Sequence, residues 1–488
     1  MPLAQRIMKK ILFAASECVP FAKTGGLADV VGSLPKYLNK KKHNIRVVMP
    51  KYKSIPKKLK EKMVYMDSFE MEIGEHSRYV GIFTCKHGGI TYYFIDNEYY
   101  FSAPTLYHGD PDWNIEKFAF FSKAVLSILP VIDFRPEIIH CHDWQTGLIP
   151  VYLDNFRYLG DYYKGIKTIM TIHNLKFQGT WNPEVVRRVT GLPEYYFASD
   201  KLEAYKDANL LKGGIVYADK VTTVSKTYAD EIKTPYYGEG LHGLMKARSG
   251  DLIGILNGLD YEEFNPLKDK RIVKNFTVDD FRKHKVKNKL ALQEEVGLKK
   301  DAKVMLIGVV SRLTGQKGFD LVECVLDEIC QDNIQLVILG TGEERYENLF
   351  RHFDWKYPGK VSANIFYDED LSHRIYAGCD AFLMPSSFEP CGLSQLMSLR
   401  YGTLPIVRET GGLKDTVMPY NEYEKTGTGF GFVNYNAHEM LSTIRYAQKI
   451  YYDKKRDWNM MIERAMEQDF SWTSSAKEYE KLYKDLLA

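Results

Sequence analysis

The chain has 488 residues, of which 45% are hydrophobic and 26% are charged. This length suits two or three domains, and the composition excludes an intrinsically disordered chain and a small disulfide scaffold. The net charge is +3, from 66 basic and 63 acidic residues, so the charge balance gives no indication of a nucleic-acid partner.

The seven cysteines are scattered and form no C-x-x-C pair, which favours reduced thiols over zinc or redox sites. The apolar run at 11–16 is too short for a signal peptide, because Glu17 ends it. No uninterrupted apolar run approaches the ~20 residues of a membrane span. We therefore expect a cytoplasmic protein with no membrane partner.

In the first half, short runs of β-branched and aromatic residues alternate with longer amphipathic stretches. This pattern predicts strands at 11–15, 45–49, 138–141, 168–172 and 252–256, and helices at 27–38, 115–129 and 144–156. Residues 63–101 alternate instead like antiparallel hairpins, which indicates a strand-rich insertion.

A second alternating series begins at 304–310, after the turn Asn257-Gly258 and a charged stretch at 268–289. It continues with strands at 336–339, 381–384 and 405–407, with helices at 321–330, 371–377 and 393–400, and with helical patterns over 437–488. We predict an α/β fold with two doubly wound parallel sheets facing each other. The predicted domains are 1–260 and 261–465, followed by a C-terminal helix at 466–488.

A glycine pair follows the first predicted strand, in the run Lys23-Thr24-Gly25-Gly26-Leu27 that leads into a helix. Paired glycines let backbone amides approach an anion, and a helix N-terminus adds a positive dipole end. This run therefore predicts a phosphate cradle, with a tight turn and a solvated lysine as the alternative. The second half repeats the element at Thr410-Gly411-Gly412-Leu413, and the two elements could hold one diphosphate.

Two cations, Arg312 and Lys317, follow the first strand of the second half. Arginine offers a planar fork for phosphate oxygens, and lysine offers a compact charge. Hydrogen bonds to charged groups contribute roughly 1.5–3 kcal/mol each, so two would offset much of the charge on a departing nucleoside diphosphate. A surface ion pair is the alternative.

Polar side chains also follow two strands of the first half. His140 and His142 share one strand face, so a metal site must be considered, but no further His or Cys pair stands at metal-ligand spacing. Asp143 lies just past the strand end and could bind a polar ligand or be structural. His173 has the same strand-end position and the same two interpretations.

Glu389 follows the strand predicted at 381–384, within the run Phe388-Glu389-Pro390-Cys391-Gly392-Leu393. A carboxylate at this position could anchor sugar hydroxyls. The alternative is an ordinary acid that complements the dipole at the start of a helix.

Taken together, six runs resemble the glycogen/starch synthase family of retaining glucosyltransferases. They are Lys23-Thr24-Gly25-Gly26-Leu27, His142-Asp143-Trp144, Thr171-Ile172-His173-Asn174-Leu175, Asn257-Gly258-Leu259-Asp260, Ser311-Arg312-Leu313 with Lys317-Gly318, and Phe388-Glu389-Pro390-Cys391-Gly392-Leu393. The resemblance implies two Rossmann-like domains facing a deep cleft, in the glycosyltransferase B arrangement, with the last helix crossing back to the N-terminal domain. It also implies elongation of an α-1,4-glucan from ADP-glucose, with no cofactor and no required metal.

The resemblance further implies a role for each site residue. Arg312 and Lys317 would bind the diphosphate, and Glu389 would bind glucose hydroxyls. Lys23, Gly25 and Gly26 would hold the donor from the opposite domain, and Asp143, His173 and Asn257 would surround the glucose. The backbone amides of Cys391 and Gly392 would support Glu389, and Gly411 and Gly412 would complete the second glycine element. Tyr367 would stack on the nucleobase.

Two other functions stay open at the level of the sequence. One is a related retaining transferase that uses another donor, such as UDP-glucose, or a small acceptor. The other is a catalytically silent glucan-binding protein. Arg312, Lys317 and Glu389 favour an enzyme, since a pure binding module has no need of a diphosphate clamp.

Overall fold

The computed structural model describes residues 8–38 and 41–488, which divide into two compact units. Unit 1 comprises the described residues up to Val224 together with Ala229–Gly258 and Trp472–Ala488. Unit 2 comprises Ser225–Tyr228 and Leu259–Ser471. Among the described residues, no helix combines the length and the apolar character that a membrane crossing needs.

The first part of the chain contains twelve strands among the described residues. They are β1 (Lys9–Ala14), β2 (His43–Pro50), β3 (Val64–Ile73), β4 (His76–His87), β5 (Ile90–Asp96), β6 (Ile138–His142), β7 (Lys167–Ile172), β8 (Thr180–Trp181), β9 (Glu203–Ala204), β10 (Asp207–Asn209), β11 (Lys220–Thr223) and β12 (Leu252–Gly254). The helices are α1 (Gly26–Tyr37), α2 (Lys57–Lys60), α3 (Glu98–Phe101), α4 (Pro111–Ser127), α5 (Leu148–Leu159), α6 (Pro183–Thr190), α7 (Leu210–Tyr217), α8 (Lys226–Glu231) and α9 (His242–Ala247).

Nine of these strands form one sheet, in the order β12-β11-β7-β6-β1-β2-β5-β4-β3. The strands from β12 to β5 run parallel, and the hairpin strands β4 and β3 continue the sheet antiparallel. The central strand β1 is apolar from Ile11 to Ala14 and fully buried there, as a sheet covered on both faces requires. Because β1, β6 and β7 are neighbours, the loops after them lie at one edge of the sheet.

Unit 2 contains a second sheet, of six parallel strands in the order β15-β14-β13-β16-β17-β18. Its strands are β13 (Met305–Val310), β14 (Ile334–Leu339), β15 (Val361–Asn364), β16 (Ala381–Met384), β17 (Leu404–Arg408) and β18 (Phe430–Phe432). Its helices are α10 (Phe281–Glu295), α11 (Phe319–Gln331), α12 (Glu344–Lys356), α13 (Glu369–Gly378), α14 (Ser394–Arg400), α15 (Gly411–Thr416), α16 (Ala437–Asp453) and α17 (Lys455–Glu467). The loops after β13, β16 and β17 are again neighbours.

The last helix, α18 (Trp472–Leu486), belongs to unit 1 although the chain reaches it from unit 2. Its buried Tyr483 contacts the central sheet directly, because its hydroxyl lies 2.9 Å from Nδ1 of His140 on β6. The same tyrosine ring packs edge-on against His43 of β2. The C-terminal helix is therefore part of the core of unit 1.

Candidate active site

The loop between β1 and α1 is shaped by Glu17, a buried carboxylate. Its oxygens accept hydrogen bonds from the backbone amide and, at 2.9 Å, from the hydroxyl of Thr24. Gly25 and Gly26 follow at the start of α1, and an added Cβ would meet nothing within 4 Å at either position. The backbone is therefore open to a ligand at this helix N-terminus, where an anion is favoured.

Lys23 lies in the same loop and already has an ionic partner. Its Nζ is 2.8 Å from Oδ1 of Asp29, and both side chains are partly exposed. Burial raises the pKa of both Asp29 and Glu17, although Lys23 partly offsets this for Asp29. An anionic ligand that binds here would therefore compete with Asp29 for the lysine.

Asp143 comes directly after β6 in a backbone conformation that is unusual for a residue with a side chain. Its φ is 57°, and such strain concentrates at functional sites. Its Oδ1 accepts a 2.7 Å hydrogen bond from the backbone amide of His173, the first residue after β7. Asp143 thus fixes the neighbouring loop that carries His173.

Burial raises the pKa of Asp143 to about 7, while the amides of His173 and Asn174 act in the opposite direction. When folding raises the pKa of a carboxyl group, the folded protein loses stability as the pH rises from the group's unfolded pKa, near 4, to its folded pKa. The amide of Asp143→Asn cannot ionise, so this variant escapes that loss. We expect the free energy of unfolding of Asp143→Asn, minus that of the unsubstituted protein, to be up to about 4 kcal/mol larger at pH 8 than at pH 4. Urea unfolding at both pH values measures this difference.

The matched control for this prediction is Asp161→Asn, because the Asp161 side chain is 90% exposed. The difference between pH 8 and pH 4 should be much smaller for this variant than for Asp143→Asn. Equal pH dependence for both variants would contradict the assignment of a raised pKa to Asp143.

His140 and His142 do not offer a pair of metal ligands. Both ring nitrogens of His140 are used within the protein, by the Tyr483 hydroxyl at 2.9 Å and the Thr171 hydroxyl at 2.6 Å. His142 Nδ1 lies 3.0 Å from Nε2 of His173.

One group of residues with metal-ligand spacing does occur in the part of the chain that the structure describes. It consists of Glu263, Glu369 and His373. Glu263 already pairs with Arg271 at 2.6 Å, and the group shares no residue with the predicted site.

Asn257 follows the edge strand β12 and is buried. Its side-chain oxygen has no hydrogen-bond partner among the described residues. A buried amide oxygen without a partner is costly, so a ligand hydroxyl at this position would be stabilised.

In unit 2, Lys317 and Glu389 form a direct ion pair. Lys317 Nζ is 2.7 Å from Oε2 of Glu389, and the same oxygen accepts a 3.0 Å hydrogen bond from Ser386 Oγ. The two charged side chains are 18% and 7% exposed. The structure therefore brings together a cation from the loop after β13 and an anion from the loop after β16.

Gly411 and Gly412 hold the backbone of the Glu389 loop at close range. The amide of Gly412 donates to the carbonyl of Glu389 at 3.0 Å. An added Cβ would lie 1.9 Å from that carbonyl at Gly411, and 2.0 Å from the carbonyl of Cys391 at Gly412. Gly392, in the same loop, has a φ of 71°. The second glycine element therefore has a packing role that the first element lacks.

Two predicted residues are not joined to these clusters by any contact that the structure gives. Arg312 is exposed, and its guanidinium makes no hydrogen bond or ion pair with any described residue. Tyr367 follows the edge strand β15, and 80% of it is exposed. Both side chains are thus accessible to a ligand.

Two residues that shape the site were not predicted from the sequence. Ser386 orients Glu389, and Glu17 orders the loop of Lys23. Glu17 was visible only as the charge that ends an apolar run. Its position just after the central strand is the feature that could have identified it, because polar residues at that edge are candidates for function.

Comparison with known proteins gives matches along almost the whole chain. Residues 10–247 match the family model described as starch synthase catalytic domain, and residues 291–466 match glycosyl transferases group 1. A glycogen synthase of Lachnospira eligens is 64% identical over 98% of this chain and 100% of its own length. A glycogen synthase of Lachnoclostridium phytofermentans is 63% identical, with the same coverage of both chains.

Solved structures agree with these sequence matches. The catalytic domain of starch synthase IV from Arabidopsis thaliana, bound to ADP and acarbose, superposes with a TM-score of 0.89 at 32% identity, covering 98% of this chain and 99% of that one. Sucrose-phosphate synthase from Thermosynechococcus elongatus shares the fold alone, with a TM-score of 0.61 at 17% identity over 98% and 99% of the two chains. The predicted fold class and the predicted resemblance are confirmed by these matches. The chain belongs to the glycogen and starch synthase family of glycosyltransferases.

Proposed function

We propose that this protein transfers glucose from ADP-glucose to the non-reducing end of an α-1,4-glucan, with retention of configuration and release of ADP. The observation that carries the proposal is the ion pair between Lys317 and Glu389. In the proposed site the lysine binds the diphosphate and the neighbouring carboxylate binds sugar hydroxyls. The names of the relatives, and the ADP and acarbose in the starch synthase structure, support the choice of donor and acceptor.

In this proposal the donor diphosphate binds Lys317 and the accessible guanidinium of Arg312. Charge-assisted hydrogen bonds from both cations strengthen as negative charge develops on the departing diphosphate. Glu389 is held by Lys317 and Ser386, so it presents its carboxylate in one orientation to the hydroxyls of glucose. Tyr367 is the side chain proposed to stack on the nucleobase.

The proposed glucose-binding residues of unit 1 are Asp143, His173 and Asn257. The Oδ1 atom of Asp143 is already engaged by the His173 amide, and the side-chain oxygen of Asn257 has no partner in the described structure. The open backbone at Gly25 and Gly26 and the charge of Lys23 are proposed to bind donor phosphates.

The two carboxylates of the proposed site favour a front-face mechanism. Retaining hydrolases use one of two carboxylates as a free nucleophile. Here the Asp143 carboxylate accepts backbone hydrogen bonds, and Glu389 is bound by Lys317 and Ser386. In the proposed mechanism the bond between the anomeric carbon and the phosphate oxygen breaks first, the acceptor 4-hydroxyl attacks the same face, and its proton passes to the leaving phosphate.

The test is incubation of the protein with ADP-glucose or UDP-glucose and maltoheptaose, followed by measurement of chain length and nucleotide release. We expect lengthened chains, with one ADP released for each glucose residue added. Lengthening only with UDP-glucose would replace the proposed donor, and glucan binding without nucleotide release would overturn the enzymatic proposal.

All seven cysteines carry free thiols, which suits the proposed cytoplasmic location.

A further inference from the structure

The ring of His142 makes a single hydrogen bond in the described structure, and that bond is with His173. The two nitrogens involved, His142 Nδ1 and His173 Nε2, are 3.0 Å apart. The other nitrogen of His142, Nε2, is enclosed and has no hydrogen-bond partner. The side chain is fully buried, so it cannot contact a ligand itself. Its polar function is therefore exerted through His173.

The His142 ring packs against two other aromatic rings. It stacks on the ring of His140 at a centroid distance of 4.4 Å and on the ring of Phe13 at 5.6 Å, with interplanar angles of 22° and 21°. His140 is itself fixed by the hydroxyls of Thr171 and Tyr483. Because these neighbours restrain rotation of the ring, its Nδ1 stays directed at His173.

Both imidazoles are neutral at physiological pH. Burial lowers the pKa of His173 to about 3 and lowers the pKa of His142 well below its usual value. A neutral imidazole carries one N–H donor and one bare acceptor nitrogen. The short contact between the rings must therefore be one N–H donating to one bare nitrogen.

The enclosed Nε2 of His142 decides which ring donates. If His173 donated, His142 would carry its own proton on Nε2, leaving a buried N–H without an acceptor. If His142 donates from Nδ1, only a bare nitrogen is left without a partner. Orphaned buried N–H groups are rarer in proteins than acceptors with unused lone pairs. The favoured arrangement has the proton on Nδ1 of His142.

We propose that His142 is a positioning residue that fixes the tautomer of His173, so that His173 presents an Nδ1–H donor to the transferred glucose. His173 is only partly enclosed, and its Nδ1 makes no hydrogen bond with any described residue. The donor role toward glucose rests on the proposed function, whereas the tautomer itself does not. An oxygen of the sugar, not a hydroxyl proton, is the group that this nitrogen would recognise.

The tautomer is tested by NMR on protein labelled with ¹⁵N-histidine, with the His173 signals assigned by their loss in His173→Gln. We expect Nδ1 of His173 to carry the proton in the unsubstituted protein and Nε2 to gain proton occupancy in His142→Ala. A proton on Nε2 of His173 in the unsubstituted protein would overturn the inference, whatever the enzymatic activity. The result therefore separates a failure of this inference from a failure of the proposed function.

Activity gives a second test through a matched pair of variants. His142→Asn places an amide near the position of Nδ1, whereas His142→Gln places it near Nε2. We expect the asparagine variant to keep kcat within about threefold and the glutamine variant to lose about 10–100-fold, with the KM for glucan unchanged in both. In protein that already carries His173→Ala, neither substitution of His142 should lower kcat further. Equal losses in the two variants, or losses that persist without His173, would show a merely structural role.

Discussion

Replacing Lys317 with alanine is expected to lower kcat for glucose transfer by about 10²–10³-fold and to leave glucan affinity within about twofold. Lys317 contacts the carboxylate of Glu389 directly and is proposed to contact the diphosphate. Its charge stabilises the leaving group more as the sugar–phosphate bond breaks, so its loss affects the chemical step. Steady-state kinetics with ADP-glucose, together with maltoheptaose binding, measure the two effects separately.

The alanine variant also leaves Glu389 buried without its cation, which is expected to lower stability by about 1–3 kcal/mol. The double variant Lys317→Ala/Glu389→Gln controls for this, because it removes the unpaired charge. We expect it to regain stability in urea unfolding without regaining kcat. Lys317→Arg keeps a cation but changes its geometry, and should retain more activity than alanine. Equal losses of kcat and glucan affinity in Lys317→Ala would contradict the proposed role.

Gly412→Ala is expected to lower the stability of the protein by about 1–3 kcal/mol or more and to abolish transfer. The new Cβ would lie 2.0 Å from the Cys391 carbonyl, a backbone atom that cannot move without displacing the Glu389 loop. Overpacking a close contact typically costs this amount, and the displaced carboxylate would no longer meet Lys317. Urea unfolding and steady-state kinetics measure the two consequences.

The chain provides a matched control in the other glycine pair. Gly26→Ala makes the same change within the same local sequence, Thr-Gly-Gly-Leu, but its Cβ would meet nothing within 4 Å. This variant should fold with unchanged or slightly higher stability, because alanine is the better helix former. A loss of donor affinity in Gly26→Ala would then report on ligand approach alone. Equal stability of both alanine variants would contradict the packing role assigned to Gly412.

The two glycine pairs show where sequence patterns stop being informative. Their sequences are identical, so the same phosphate cradle was predicted for both. In the structure, Gly25 and Gly26 face open space, whereas Gly411 and Gly412 pack against carbonyl groups of the Glu389 loop. Those carbonyls come from a different strand–helix connection, and no local pattern indicates which backbone segment passes beside a glycine.

The parallel strands could be predicted because they are buried on both faces and read as continuous apolar runs. Helix α10 was not predicted, because part of it lies in the charged stretch at 268–289. Its buried face carries Lys285 and Lys289, whose ammonium groups bond to carbonyl oxygens in the core. A helix with lysines on its buried face has no apolar stripe, so periodicity cannot reveal it.

The candidate site was predicted as a set of strand-end residues and a family resemblance, but its pairings were not. Lys317 and Glu389 are 72 residues apart in sequence, and His142 and His173 are 31 apart. The first pair was predicted as two separate ligands of the donor. Only the order of strands within each sheet brings these loops side by side.

The most direct test of the account is calorimetric titration of ADP and of AMP into the unsubstituted protein and into Arg312→Ala/Lys317→Ala. The two nucleotides differ by the phosphate group that these cations are proposed to bind. We expect ADP to bind the unsubstituted protein about tenfold or more tightly than AMP, and the two to bind the double variant within about twofold of each other. An undiminished preference for ADP in the double variant would contradict the claim that these cations hold the diphosphate.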